Sequence, residues 1–134
     1  MSSPARTSAR SVALVFVGGT FGCATRGALG LLFPATGFPW TTLVINVTGA
    51  FLLGLLLTLL AGRGPGTGVR LFLGTGFLGG YTTYSTLATD TVLMLGGGTV
   101  WAGLLYAVAT LVLGAVMTWS GMVIAARLRR ATAR

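Results

Sequence analysis

Residues 74–91 read GTGFLGGYTTYSTLATDT, with four glycines, seven Ser or Thr hydroxyls, two tyrosines and the only acid of the chain, Asp90. A helix surrounded by lipid does not carry this composition. Gly79-Gly80 lies mid-segment, where helix propensity is poorest, so a broken helix is expected at that pair. Such a break survives in a membrane only when it is buried in protein or lines a wet cavity.

Everything around this stretch is apolar. The chain has 134 residues, 54% hydrophobic and 7% charged, with a mean hydropathy of +0.89. A soluble domain carries about 25% charged residues, so the composition describes a membrane protein. Four spans of about 20 residues each fit the length and leave no room for a soluble domain. The sequence places them at about 11–33, 40–61, 71–94 and 99–126, forming one four-span channel domain (11–126), all α-helical. Residues 1–10 form a polar tail expected to be disordered, and 127–134 a basic tail. Pro34 and Pro39 bracket the first turn, GRGPGTGVR forms the second and Gly96-Gly97-Gly98 the third. The first span is too long for the apolar core of a signal peptide, and no small-residue cleavage site follows it.

What is scarce excludes several functions. There is no His and one Cys, which argues against a zinc, haem or iron–sulfur site and against a disulfide scaffold. Cys23 is expected to be a small buried filler. The usual nucleophile–base pairs are also missing, so the chain is not expected to be an enzyme. The net charge of +8 could suggest nucleic-acid binding, but the arginines sit just outside apolar runs. That is the positive-inside pattern instead. With four spans, eight of the nine arginines gather on the side of both termini, which is then cytoplasmic. Small residues at four-residue spacing (Gly18 with Gly22, Gly76 with Gly80, Gly103 with Ala107) predict close helix packing in lipid.

Polar groups inside spans are functional candidates because burying them is costly. Arg26 is either an arginine that snorkels to the headgroups or a fixed charge at an anion vestibule. Asn46 is either an interhelical hydrogen-bond residue or a donor facing a permeating ion. The hydroxyls of residues 81–86 can donate to an anion, and unwound carbonyls beside them can hold a cation. No carboxylate is expected mid-membrane, since Asp90 falls near the end of span three. The inventory favours a small anion over a cation.

Three blocks, GGTFGCATRGALG (18–30), TTLVINVTGAFLLG (41–54) and GTGFLGGYTTYSTLATDT (74–91), resemble the Fluc (CrcB) family of fluoride channels over nearly the whole chain. The resemblance implies an antiparallel dimer of four-span subunits, with two narrow pores between them that lower cytoplasmic fluoride. It implies that Asn46 lines the pore, that Arg26 stands at the vestibule, and that Ser85 and Thr86 form a polar track. The backbone carbonyls of Gly79 and Thr82 would hold a structural, non-transported sodium ion, and Tyr106 corresponds to a pore-facing tyrosine. Three features depart from the family. Its pair of phenylalanines reads Tyr84 and Leu87, its usual Glu is Asp90, and the arginine bias disfavours pairing of identical copies in opposite orientations. The expected partner is therefore an oppositely oriented homologue. Two other readings stand beside the channel: a non-conducting structural partner, and a four-span exporter of toxic cations, disfavoured by the absent central acid. Asn46→Asp is expected to abolish flux with little loss of folding.

Overall fold

The computed structural model describes residues 9–62 and 68–132, and its regular elements there are all helices. Helix α1 spans Ala9–Leu32 and α2 Trp40–Leu59. A wide π-type helix follows over Arg70–Leu78, continued by one α turn, α3, over Gly79–Tyr81. Then come α4, Tyr84–Gly96, and α5, Val100–Thr132. Helices α1, α2 and α5 are long and apolar enough to cross a membrane. At 1.5 Å per residue α2 is about 30 Å long, matching a bilayer's hydrocarbon core. Helix α5, at 33 residues, is about 50 Å long and must project beyond it. Helical structure thus continues through Arg127, Arg129 and Arg130, which the sequence reading assigned to a tail. Of the tail expected over 1–10, residues 1–8 lie outside the described residues, and Ala9 and Arg10 are already helical.

The broken segment differs from expectation in place. Gly79 and Gly80 are helical, and the chain leaves the helix at Thr82 (φ −75°, ψ 155°) and Thr83 (φ −147°, ψ 122°). Gly80 serves packing instead, together with Gly76. A Cβ on Gly80 would press into the backbone carbonyl of Gly19, and one on Gly76 would come within 2.8 Å of the Val15 carbonyl oxygen. Reciprocally, Gly18 and Gly22 of α1 abut the Phe72 and Phe77 carbonyls. The two glycine rows let α1 and segment 70–81 meet backbone to backbone. In lipid, where no hydrophobic attraction drives helices together, this closeness supplies the dispersion energy. Gly54 and Gly121 do the same for α2 and α5, against the Thr118 and Phe51 carbonyls.

Cys23 is exposed on the single chain, which corrects the expectation of a buried filler. Gly22, not Cys23, occupies the packed face of α1, so the thiol side chain projects away from segment 70–81.

The packing separates a Gly22→Ala change from a Gly27→Ala change. The first places a methyl against the immovable Phe77 carbonyl, while nothing lies within 4 Å of a Cβ on Gly27. Overpacking of this kind costs about 1–3 kcal/mol. Thermal unfolding in detergent is expected to drop for Gly22→Ala and to stay level or rise for Gly27→Ala. Equal behaviour would contradict the close approach.

Contacts also order the ends of the bundle. A Cβ on Gly68 would meet Leu14 of α1, and one on Gly74 would meet Leu56 and Leu57 near the end of α2. Arg129 of α5 reaches the Thr58 carbonyl. The start of α1, the end of α2, the start of segment 70–96 and the end of α5 therefore share one end, with Arg10, Arg70, Arg127, Arg129 and Arg130. Arg6, Arg63 and Arg134 lie outside the described residues. At the other end, Gly98 at φ +82° turns α4 into α5, and the Thr99 hydroxyl and N–H both donate to the Met94 carbonyl (2.8 and 3.0 Å).

Candidate ion pathway at the break in the third helical segment

Thr83 is the hub of the break. Its extended backbone leaves its N–H and carbonyl outside any helix at this turn, and Asn46 on α2 takes both. The Thr83 N–H donates to Asn46 Oδ1 at 2.8 Å, and Asn46 Nδ2 donates to the Thr83 carbonyl at 2.9 Å. The amide so imitates one rung of a β-ladder within a helical protein. One Nδ2 hydrogen of Asn46 remains for another partner.

The Thr83 side chain then starts the next helix. Its Oγ1 accepts from the Thr86 N–H at 3.1 Å, the N-cap bond of α4. It donates to Thr86 Oγ1 at 3.0 Å and pairs with Ser85 Oγ at 3.2 Å. Because the Thr86 oxygen accepts, its own hydrogen is free to point at a ligand.

Two cavities meet at this hub. An open groove of about 360 Å³ is lined by Asn46, Thr82, Thr83, Tyr84, Leu87, Thr110 and Thr118 among others. Tyr84 is 77% exposed on its rim, while Leu87 is buried in its wall at 5%. A more enclosed cavity of about 280 Å³ is lined by Arg26, Thr42, Thr83, Thr86 and Asp90, with Phe33, Ala35 and Pro39 at its outer side. Thr83 is common to both.

Arg26 turns inward instead of snorkelling. Its Nε donates to the Gly80 carbonyl at 3.1 Å, and Nη2 lies 3.8 Å from Cys23 Sγ. The break deprives that carbonyl of a helical donor, so the guanidinium satisfies it while charging the cavity wall. The ring of Tyr106 is almost fully buried, at 1% exposure, and not open to the groove. Its hydroxyl donates to Asp90 Oδ2 at 3.2 Å. Asp90 lies in α4, six residues before its end.

The carbonyls of Gly79 and Thr82 accept no hydrogen bond among the described residues. The N–H four residues beyond Gly79, that of Thr83, goes to Asn46, and the one four beyond Thr82, that of Thr86, goes to Thr83 Oγ1. Gly79 lies exposed on the outside of the chain. Hydrocarbon cannot hydrogen-bond such a group, so a polar or cationic partner is required there. The donor set fits a hard cation such as sodium, which takes oxygen ligands.

The sequence reading named Asn46, Tyr84, Ser85, Thr86 and Arg26, and the fold gathers all five around the break. It brings Tyr106 there only through Asp90. Thr42 was not named, and Thr83 was read only as one hydroxyl of the run 81–86, not as the hub of the break. The signal for Thr83 was local: a threonine three residues before Thr86, where an N-cap serves a helix start.

The family profile described as "CrcB-like protein, Camphor Resistance (CrcB)" matches residues 13–122. A Leifsonia xyli protein named "Fluoride-specific ion channel FluC 2" is 47% identical over 130 residues, covering 93% of this chain and 90% of the relative. One from Thermus thermophilus named "Fluoride-specific ion channel FluC" is 43% identical over 111 residues, 81% of this chain and 89% of the relative. One from Novosphingobium aromaticivorans with the same name is 39% identical over 117 residues, 84% of this chain and 93% of the relative. With its profile match over residues 13–122 and its 47% identity to the Leifsonia xyli protein, the chain belongs to the CrcB (Fluc) family of membrane proteins.

Proposed function

We propose that the chain is one subunit of a fluoride-selective ion channel that lets fluoride leave the cytoplasm. The observation that carries this reading is the meeting of two cavities at Thr83, each offered a hydrogen-bond donor. Fluoride holds its water tightly, so a selective pore must replace that water with placed donors in a passage too narrow for larger anions. Arg26 draws the anion into the enclosed cavity. The free Thr86 hydrogen and the spare Asn46 N–H stand on either side of Thr83. Ser85 extends the hydroxyl track, and Tyr84 presents its ring edge and hydroxyl at the groove. Tyr106 acts at one remove, by holding Asp90. The names of the relatives support the same substrate.

In this reading segment 70–96 is the third of four spans, interrupted at its middle, and both termini face the cytoplasm by the positive-inside rule. The open groove becomes a pore only when an antiparallel partner covers it. A sodium ion held by the Gly79 and Thr82 carbonyls would supply fixed positive charge at the dimer centre. Its role is structural, and it is not transported. The arginine-rich end forces one orientation on this chain, so its partner is an oppositely oriented homologue. Leu87 favours a second reading, a non-conducting partner subunit. It stands buried in the groove wall where an aromatic ring edge would otherwise face the anion.

Growth of a fluoride-sensitive bacterial strain tests both. The chain together with an oppositely oriented homologue is expected to restore growth on fluoride, and the chain alone is not. Rescue by the chain alone would overturn the mixed dimer. If a homologue paired with this chain rescues no better than that homologue by itself, the non-conducting reading replaces the channel.

A further inference from the structure

The arginine-bearing end of the bundle holds a cleft that the ion pathway does not use. Where the last turns of α5 pass the end of α2, Thr58, Ala126, Arg129 and Arg130 line an open cavity of about 320 Å³. Arg129 Nη1 donates to the Thr58 carbonyl at 3.1 Å, which anchors the guanidinium to the backbone. The turn beside it passes at Gly62, φ +92°, where even an added Cβ would stay 3.8 Å from Nη2. Glycine thus adopts the left-handed turn and, lacking a Cβ, does not itself cover Nη2. An arginine has five N–H donors, so most of this fork has no partner among the described residues. Both arginines are exposed, and the one acid of the chain, Asp90, lines the cavity at the opposite end of the bundle.

Depth identifies the occupant. Helix α2 is as long as the hydrocarbon core is thick, and Thr58 is its penultimate residue. The two guanidinium groups therefore lie at headgroup level, on the leaflet toward which positive charge is retained. We propose that this cleft binds the phosphate of an anionic phospholipid headgroup, with Arg129 as the pre-positioned fork and Arg130 as the second charge. Planar N–H pairs match phosphate oxygens, and basic clefts between helix ends are suited to such lipids. The inference rests on the membrane placement and orientation given under the proposed function, and is independent of conduction.

Native mass spectrometry of the full chain in detergent, titrated with phosphatidylglycerol or phosphatidylcholine, tests it without any flux measurement. Phosphatidylglycerol is expected to bind more tightly. Arg129→Gln with Arg130→Gln should weaken it about thirtyfold, and Arg130→Gln alone about fivefold. Arg130 makes no backbone bond that its loss would disturb, so the single variant separates binding from folding. Arg127→Gln, which removes the same charge outside the cleft, should weaken binding clearly less than Arg130→Gln does. Equal binding of both lipids, or equal weakening by Arg127→Gln and Arg130→Gln, would overturn the site. Displacement of the lipid by millimolar inorganic phosphate would overturn the assignment to a lipid in favour of a free anion.

Discussion

Asn46→Asp is expected to abolish fluoride flux and to destabilise the protein by about 1–3 kcal/mol, because the Thr83 carbonyl loses its donor inside a nonpolar bundle. The aspartate can still accept from the Thr83 N–H, but its second oxygen then faces the Thr83 carbonyl, oxygen against oxygen. It also sets a negative charge beside the groove that an anion would have to pass. The two-way pairing of Asn46 with Thr83 thus revises the expectation from sequence that folding would be spared. Fluoride efflux from liposomes and thermal unfolding in detergent check the two halves separately. Unchanged flux would remove Asn46 from the pathway, and an unchanged melting temperature would remove it from the support of the break.

Thr83→Val is the second large effect. Valine keeps the shape of threonine and the extended backbone suits it, but the hydroxyl that joins Ser85, the Thr86 N–H and the Thr86 hydroxyl is gone. Loss of an N-cap hydroxyl costs about 0.5–2 kcal/mol. The effect on flux should be larger than that cost suggests. The Thr86 hydroxyl, no longer bound by Thr83, is free to turn its hydrogen away from the cavity, so the donor loses its fixed direction. Flux is expected to fall at least tenfold while the melting temperature shifts by only a few degrees. Thr83→Ser, which keeps the hydroxyl, should restore most of it. A valine variant with full flux would show that Thr83 only packs.

The same residues mark how much of this was legible beforehand. Helices α1, α2 and α5 could be read directly, since apolar runs bounded by proline, glycine and arginine have no other stable form in lipid. The existence of a break was also legible, from glycines and hydroxyls crowded into one segment. Its position was not. Gly79-Gly80 has the poorest helix propensity, yet both stay helical, and the missing side chain of Gly80 admits α1. The helix ends instead where Asn46, 37 positions away in sequence, offers the Thr83 backbone a better partner. A long-range amide outweighed a local preference, and no local window contains that amide. Arg26 illustrates the same limit. Its charge and depth in the span were visible, but the Gly80 carbonyl that turns it inward exists only once the helix is broken. Cys23 was misjudged because the helical face that packs was set by Gly18 and Gly22, not by the polarity of the neighbourhood.

The grouping of five described arginines at one end also bears on assembly. An antiparallel pair of identical copies would set half of those charges on the translocated side, against the positive-inside rule. In the proposed reading, the exposed groove still needs a partner to close it into a pore. An oppositely oriented homologue meets both demands.

The most direct test is fluoride efflux from liposomes with sodium present, beside a chloride control, for this chain reconstituted with such a homologue and for each protein alone. The pair is expected to release fluoride fast and chloride not at all, and this chain by itself to release neither. Absence of fluoride efflux from the pair, or chloride efflux matching it, would contradict the account.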